Sequence, residues 1–496
     1  MLTLTLLIVL AAGPAATQTG TLRVCDDVID PITLDPLQEF SEKNHTIIQQ
    51  IFDGLVRFDP EGRIEPALAV SWRRLDPTTV EFKLRQGVRF HNGEPMDAEA
   101  VRFSLERFSD PKGGFPGAGF LGSIDKIEVV DAGTVLVRTK FPDGILLHRL
   151  AGLVTVLPPR YFARKGAVEF GQHPVGTGAF KFVEWDKNDR RIVLTANEDY
   201  WLEGFPKLKK LVFRFIPAER QVETLLKGEL DLVTELPGTA TLAIVKSAVA
   251  RVIKKDSFYT AASSLNAHSG PLADVRVRRA LNYAVDKDLL IRYDLLGNGK
   301  TIATLSMEGE TGHDPALKPY PYDLAMAKRL LREAGYAKGF RLNALVKVQV
   351  MRTMNIIASQ LAQVGVEVDI SSTTDAVAFS DMAKKDWDWV FAGCPDPMSH
   401  SFFVQSIFLS SLSPFSVTKD PGYDERLGKM VSALDPEEQQ RRGRELDAYI
   451  HDQALSLFTY QRVKTYAARN DVDFVPWVTG MPYFYSARRL EAPDAR

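Results

Sequence analysis

The chain begins with an apolar stretch, which is followed by the pattern of a strand and a helix. Residues 1–19 are almost all apolar or small and end in small residues, which is typical of a signal peptide. The alternative is an uncleaved membrane anchor, although the stretch is short for a span of about 20 residues. In residues 20–58, Leu22 lies in a short predicted strand, and Ile47, Ile48 and Ile51 recur at helical spacing.

Residues 59–172 have mainly the pattern of strands. Val80, Phe82 and Leu84 alternate with polar residues after a turn-forming Asp-Pro-Thr-Thr segment, which predicts a half-buried strand. Asp97 precedes a segment with apolar residues at helical spacing, so we expect it to cap a helix that covers a small sheet. This region is predicted to be a β-rich insertion.

Strand patterns resume in residues 173–265, and helices then alternate with strands in residues 266–468. Asp274 and Asp323 are predicted N-caps, and Gly335 ends the second of these helices. Such alternation predicts a second α/β lobe with a mostly parallel sheet. The pattern therefore predicts two α/β lobes with a cleft between them, with Asn266 either near a hinge or in an ordinary loop.

Composition and charge exclude several classes of protein. A chain of 496 residues is too long for one ordinary hydrophobic core. The 61 Lys and Arg residues nearly balance the 63 Asp and Glu residues, and no basic run provides the footprint that nucleic-acid binding requires. No nucleophile-elbow, Walker-type, Cys-x-x-Cys or His-Glu-x-x-His motif occurs, so we predict no catalytic, cofactor or metal site.

The two cysteines give information on the cellular location of the protein. Cys25 follows Leu22-Arg23-Val24, and a charged residue at this place does not fit a lipoprotein signal, so we predict a protein that is free in the periplasm without a lipid anchor. Cys25 and Cys394 could form one disulfide in an oxidising compartment. Two buried thiols fit the sequence equally well.

Several ordered motifs resemble family 5 of the extracellular solute-binding proteins. The most specific block consists of IFDGLVRFD from Ile51, EPALAVSW from Glu65 and EFKLRQGVRFHNGEPM from Glu81. PVGTGAF from Pro174, NEDYW from Asn197 and DVRVRRAL from Asp274 follow in the family's order. The likeness covers essentially the whole chain after the leader.

The resemblance implies a fold similar to the type II periplasmic binding proteins. Two α/β lobes are joined by a hinge and accompanied by an inserted β-rich domain, and residues 469–496 return to the first lobe. It also implies the function of the substrate-binding subunit of an ABC importer. Such a monomer would close on a peptide or peptide-like solute and deliver it to the permease, and the alternative ligands are a nickel chelate, an opine or an oligosaccharide.

One segment departs from the family's pattern. In peptide-binding members a carboxylate in this segment holds the peptide's amino group, but here Gly393 occupies that place and Asp396 follows. Either the amine-binding group is missing or Asp396 replaces it, which weakens the prediction of a free peptide because an unpartnered buried ammonium is costly. Phe40, Trp389 and Phe391 are predicted to line the pocket, with core packing as the alternative for each.

Overall fold

The computed structural model describes residues 20–26, 30–38, 41–384 and 386–490. The strands, in chain order, are β1 (Thr21–Cys25), β2 (Val56–Phe58), β3 (Ile64–Pro66), β4 (Ala69–Asp76), β5 (Thr79–Leu84), β6 (Ile124–Asp131), β7 (Thr134–Thr139), β8 (Phe180–Asp186), β9 (Arg191–Ala196), β10 (Lys210–Arg214), β11 (Leu232–Val233), β12 (Ala250–Leu265), β13 (Gly299–Thr301), β14 (Phe340–Lys347), β15 (Val366–Thr373), β16 (Trp389–Pro395), β17 (Tyr460–Arg469), β18 (Val472–Asp473) and β19 (Arg488–Arg489).

Several helices begin directly after a serine or aspartate that caps them. They are α1 (Glu42–Ile51), α2 (Ala98–Ser109), α3 (Leu146–Leu153), α4 (Pro159–Gln172), α5 (Ala218–Leu226), α6 (Thr241–Val245), α7 (Val275–Ala284), α8 (Lys287–Tyr293), α9 (Leu324–Glu333), α10 (Met351–Ala362), α11 (Asp375–Ala383), α12 (Phe402–Leu409), α13 (Pro421–Ser432) and α14 (Pro436–Asp452). Asp97, Asp274 and Asp323 each accept a hydrogen bond from a first-turn backbone N–H group. The three predicted caps are confirmed.

One large mixed sheet runs through the molecule in the order β15-β14-β16-β12-β17-β11-β1-β10-β9-β8, with β13 added on β17. We call the β11-to-β8 end of this sheet, with α1, α5 and α6, the first lobe. The β15-to-β16 end, with β13 and α7 to α14, is the second lobe. In the second lobe β14 pairs in parallel with both β15 and β16, as the alternation of helices and strands predicts.

Two long antiparallel strands connect the lobes. The first part of β12, residues 250–256, pairs with β17, whereas its last part, residues 259–265, pairs with β16. The register shifts between Asp256 and Thr260, where the extra residues bend the strand. We therefore place the hinge at this irregularity, and Asn266 lies beyond it in the loop after β12.

The predicted β-rich insertion contains a four-stranded antiparallel sheet in the order β4-β5-β7-β6. Val80, Phe82 and Leu84 of β5 are buried, as their alternation predicts. The helix capped by Asp97, α2, packs against β6. Nothing independent tests the limits given above for the insertion and the lobes, so those limits remain predictions.

Residues from three of the sequence motifs named above form a buried polar network around Asp53. Asp53 accepts hydrogen bonds from Thr177 Oγ1 at 2.9 Å, Tyr200 Oη at 3.0 Å and Trp201 Nε1 at 2.9 Å. A buried carboxylate is tolerated when donors surround it in this way. This network therefore stabilises the first lobe.

The described C-terminal segment returns to the first lobe. Gln50 of α1 donates from Nε2 to the carbonyl of Pro482 at 3.0 Å and accepts from Phe484 N at 2.9 Å. Arg489 forms an ion pair with the buried carboxylate of Asp231. Residues 491–496 lie outside the described part of the chain.

Candidate functional site

The two lobes touch where the loop after β16 meets the first lobe and the insertion. Ser399 donates from Oγ to the carbonyl of Gly62 at 2.8 Å, and His148 Nδ1 lies 2.8 Å from the carbonyl of Met398. Gly152 allows a close approach here, because a Cβ on it would lie 2.9 Å from the carbonyl carbon of Pro397. The loop after β16 is therefore in direct contact with the insertion at this point.

A small cavity lies at this lobe junction. Its volume is about 10 Å³, and it is lined by His45, Gln49, Phe58, Ala151, Pro397, Trp477, Thr479, Met481 and Tyr483. That is the space of about one water molecule, whereas ligand pockets usually occupy about 300–1,000 Å³. This cavity therefore admits a peptide-sized solute only if the lobes separate.

One face of α1 connects this cavity to the hinge. Glu42, His45 and Gln49 are spaced by three and four residues, so they share a helix face. His45 and Gln49 line the cavity, and burial lowers the pKa of His45 to about 4, so this imidazole is neutral at pH 7. Glu42, at the other end of the face, lies beside the hinge strand β17.

Charged residues from three segments meet there. We call Glu42, Glu235, Tyr259, Arg462 and Lys464 the hinge cluster. Lys464 Nζ donates to Glu42 Oε1 at 2.7 Å, to the carbonyl of Gly480 at 2.7 Å, and lies 2.9 Å from Glu235 Oε1. Although burial lowers the pKa of Lys464, these two carboxylates raise it well above its usual value, so the amine remains protonated.

Arg462 is less tightly bound than Lys464. Its guanidinium nitrogens lie 3.3 Å and 3.4 Å from the Glu235 oxygens and 3.6 Å from Glu42 Oε1. The guanidinium carbon lies 4.0 Å from the centre of the Tyr259 ring, which is within the range of a cation–π interaction. The hinge cluster therefore presents a stacked guanidinium beside a carboxylate.

Strand β16 is buried on both faces. Trp389 and Phe391 belong to the core of the second lobe, whereas Val390, Ala392 and Cys394 face the other core. Such two-sided burial explains the continuous apolar run of this strand. Trp389 Nε1 donates to Ser263 Oγ at 2.9 Å, so its polar group has a partner within the core.

Gly393 continues the row of Trp389 and Phe391 on the same face of β16. A Cβ on Gly393 would lie 2.8 Å from Cζ of Tyr259, closer still to the Tyr259 hydroxyl, and 3.3 Å from Val350 Cγ1. The phenol of Tyr259 thus fills the space that a side chain at position 393 would need. The sequence predicts a missing carboxylate here, and the structure shows that an aromatic residue from β12 occupies its place.

Asp396 is fully buried and holds the loop that follows it. Its two oxygens accept hydrogen bonds from the backbone N–H groups of Met398 and His400, both at 2.7 Å. Burial raises the pKa of Asp396 to about 7, and burial together with Asp396 raises the pKa of Glu310 well above its usual value. These carboxyl groups are adjacent and favour one shared proton.

The site residues predicted from the sequence therefore lie in different surroundings. Trp389 and Phe391 lie in the core of the second lobe, Gly393 lies under Tyr259, and Asp396 holds a turn at the lobe junction. Phe40 lies outside the described residues. Contacts of these residues with a ligand remain predictions, and the hinge cluster is the set that the sequence did not reveal.

The positions of the two cysteines decide between a disulfide and two buried thiols. Both Cys25 and Cys394 are buried, and no disulfide joins them. Burial also raises the pKa of the Cys394 thiol far above its usual value, so this group is an unreactive thiol at neutral pH.

Within residues 20–26, 30–38, 41–384 and 386–490, no three His, Cys, Asp or Glu side chains are arranged to hold a metal ion. In the same part of the chain, no helix has both the length and the apolar character needed to cross a bilayer.

Comparison with known proteins adds relatives of similar sequence. The family model "Bacterial extracellular solute-binding proteins, family 5 Middle" matches residues 63–413. The glutathione-binding protein GsiB of Pectobacterium atrosepticum is 30% identical over 345 residues, which cover 68% of this chain and 67% of that protein. The protein of the same name from Salmonella typhimurium is 28% identical over 345 residues, with the same coverage of 68% and 67%.

Solved structures of other binding proteins have a fold similar to that of this chain. The periplasmic binding protein DppA of Helicobacter pylori, in complex with the peptide STSA, has a TM-score of 0.83 and 25% identity, covering 95% of this chain and 98% of its own. AgaA of Agrobacterium tumefaciens, in complex with agropinic acid, has a TM-score of 0.82 and 25% identity, covering 96% and 100%.

These similarities extend over both lobes and the insertion, so the predicted type II periplasmic-binding-protein fold is confirmed. The family model alone spans most of the chain. The chain therefore belongs to family 5 of the bacterial extracellular solute-binding proteins, the solute receptors of ABC importers.

Proposed function

We propose that this receptor captures a small peptide-like solute between its lobes and delivers it to its permease. The observation that supports this most is the hinge cluster, whose carboxylates can bind a ligand ammonium. Position 393 has no side chain, and the phenol of Tyr259 fills the space that a carboxylate there would need. A peptide's amino group therefore needs another partner. The hinge cluster supplies carboxylates from the first lobe.

The relatives support a peptide-like ligand of limited size. The glutathione-binding relatives are the most informative, because glutathione is a tripeptide whose first residue is linked through its side chain. Such a molecule has charged groups at positions that differ from those of an ordinary peptide. A site without the usual carboxylate at position 393 fits such a ligand better than a linear peptide.

An opine or a nickel chelate is the second candidate. The departure at Gly393 favours it, since neither ligand class requires a carboxylate partner for a free peptide amino group. The similarity to the receptor that was solved with agropinic acid supports the same alternative. The identity of the bound solute separates the two candidates, because the lobes and the hinge are common to both.

Capture follows from the hinge between Asp256 and Thr260. The junction cavity holds about 10 Å³, so an open state must admit the solute, and contacts made to both lobes then favour closure. A ligand moves this equilibrium only by its difference in affinity for the two states. The receptor thus needs no catalytic group, and we propose that it is not an enzyme.

The location and the partners complete the proposal. Residues 1–19 act as a signal peptide, and the mature chain is a periplasmic monomer without a lipid anchor. Its partners are the solute and the transmembrane subunits of an ABC importer. We propose that the permease recognises both lobes. The first lobe consists of residues 20–58 and 173–265 with the C-terminal segment, and the second lobe consists of residues 266–468. The insertion, residues 59–172, moves together with the first lobe.

Isothermal titration calorimetry of the purified mature chain tests the ligand class. The panel consists of glutathione, a linear tripeptide, agropinic acid and the nickel complex of histidine. We expect glutathione to bind with a Kd of about 1 µM or below, which corresponds to about −8 kcal/mol. Tight binding of agropinic acid or the nickel complex, with no heat from glutathione and the tripeptide, would replace the peptide proposal with the second candidate.

A further inference from the structure

The hinge cluster has the composition of a site for a zwitterionic head group. We infer that Arg462 binds a carboxylate and Glu235 binds an ammonium of the same ligand, as an α-amino acid group would present them. This inference rests on the proposed function and specifies the chemical group at one end of the ligand. It follows from the unequal way in which the two cations of the cluster are bonded.

Lys464 has no donor left for a ligand. Its ammonium has three protons, and its three acceptors, Glu42, Gly480 and Glu235, lie at 2.7 Å, 2.7 Å and 2.9 Å. These are the lengths of charge-assisted hydrogen bonds. Its side chain is only 2% exposed. Lys464 is therefore the structural cation that holds the two carboxylates in place.

Arg462 retains capacity to bind an anion. Its distances of 3.3–3.4 Å to Glu235 and 3.6 Å to Glu42 exceed the roughly 2.7–2.9 Å of a strong charge-assisted bond. Its Nε has no hydrogen-bond partner in the described part of the chain. One fifth of the side chain is exposed. A ligand carboxylate can therefore replace these long contacts with short, bidentate ones.

Glu235 retains capacity to bind a cation. Its Oε1 faces Lys464, whereas its Oε2 makes a long contact of 3.4 Å with Arg462, and its side chain is 31% exposed. Burial raises the pKa of this carboxyl, but Arg462 and Lys464 lower it to about 2. The group is therefore a carboxylate at neutral pH and can accept from an ammonium.

The charge balance favours a ligand end with both signs. Glu42 and Glu235 neutralise Arg462 and Lys464 within the cluster. An added cation or anion alone would leave one charge uncompensated in a partly enclosed place, which is unfavourable. A zwitterion adds one charge of each sign, so it leaves no charge uncompensated.

Tyr259 connects this cluster to the second lobe. Its ring lies under the Arg462 guanidinium at 4.0 Å, and its hydroxyl end covers Gly393. The ring thus fixes the guanidinium at the hinge and blocks the space at the end of β16. We conclude that the amino-group site lies in the first lobe in this receptor, at Glu235.

The test compares glutathione with N-acetylglutathione, which lacks the ammonium, in calorimetric titrations. We expect the wild type to bind the free form at least tenfold more tightly, and Glu235→Gln to abolish that preference. Arg462→Lys should weaken binding of both forms at least tenfold. Glu223→Gln is the matched control, because Glu223 also binds a lysine, Lys227, but lies on an exposed helix, and it should bind as the wild type does.

The outcomes separate the two proposals. If the wild type binds both forms equally, or if Glu235→Gln keeps the preference while remaining folded by circular dichroism, the inference is wrong and the peptide proposal stands. If another peptide of the panel binds and glutathione does not, that peptide and its N-acetyl form replace the glutathione pair. If no peptide binds to the wild type, the proposed function fails and the inference fails with it.

Discussion

Substitution of Gly393 by alanine tests the packing of Tyr259 against β16. The added Cβ would lie 2.8 Å from Cζ of Tyr259 and 3.3 Å from Val350 Cγ1, and closer still to the Tyr259 hydroxyl. The tyrosine ring is rigid, and it is held from the other side by Arg462 at 4.0 Å. The added methyl group must therefore displace the ring, the guanidinium or the strand.

We expect Gly393→Ala to lower the free energy of unfolding by about 1–3 kcal/mol, the usual cost of overpacking. The assay is urea unfolding followed by circular dichroism, with the midpoint as the readout. In a Tyr259→Ala background the cost of Gly393→Ala should fall close to zero, since a double-mutant cycle isolates the coupling between two residues in contact.

Gly428→Ala is the control for this experiment. No atom lies within 4 Å of a Cβ built on Gly428, which is a helical residue of α13, so alanine there should be neutral or stabilise by up to about 1 kcal/mol. An unchanged midpoint for Gly393→Ala, or an equal loss in both backgrounds, would refute the reasoning that Tyr259 occupies the space of a side chain at 393.

Three further predictions concern buried carboxyl groups. Asp53→Asn should cost about 3 kcal/mol in urea unfolding, since the amide cannot accept all three donors; an unchanged midpoint would contradict this. Glu310→Gln should flatten the pH dependence of stability. A carboxyl whose pKa is raised in the folded state stabilises the fold at a pH below its unfolded pKa, and this contribution is lost as the pH rises through the raised pKa. For the partner carboxyl, Asp396, the raised pKa is about 7. Parallel pH profiles for variant and wild type would exclude the shared proton. Asp396→Ala should lower stability by about 2 kcal/mol through the freed N–H groups of Met398 and His400, and a variant as stable as the wild type would argue instead for a ligand contact.

Local signals in the sequence predicted the elements well. Asp97, Asp274 and Asp323 were identified as N-caps because a capping aspartate and the apolar spacing behind it are adjacent in sequence. The alternation in β5 likewise requires only neighbouring residues. The fold class followed from the motifs from Ile51 onwards, whose Asp53 network stabilises the first lobe.

The site was less predictable. The departure at Gly393 is visible in the sequence, but Tyr259, which fills the space beside it, lies on another strand. Trp389 and Phe391 were predicted either to line a pocket or to pack in the core, and β16 is buried on both faces. Their contact with a ligand remains a prediction. No pattern of spacing identifies such two-sided burial as distinct from a pocket wall.

The hinge cluster could not be assembled from the sequence. Glu42, Glu235 and Arg462 lie far apart along the chain. The pairing of β11 with β17 brings Glu235 to Arg462, and the ion pairs of Glu42 connect α1 to the same strand. One signal was available: Arg462 and Lys464 lie two residues apart in β17, on either side of Val463. Charged residues inside a strand buried in a sheet need partners, and that requirement points to carboxylates elsewhere.

Native mass spectrometry of the receptor, purified gently from its own periplasm, tests the central claim most directly. Receptors that close on their solute retain it when dissociation is slow, so the ligand can be released and fragmented in the same experiment. We predict a mass excess that fragments as a small peptide with a free amino acid group. A ligand that is a metal chelate, an opine or a sugar would contradict the account.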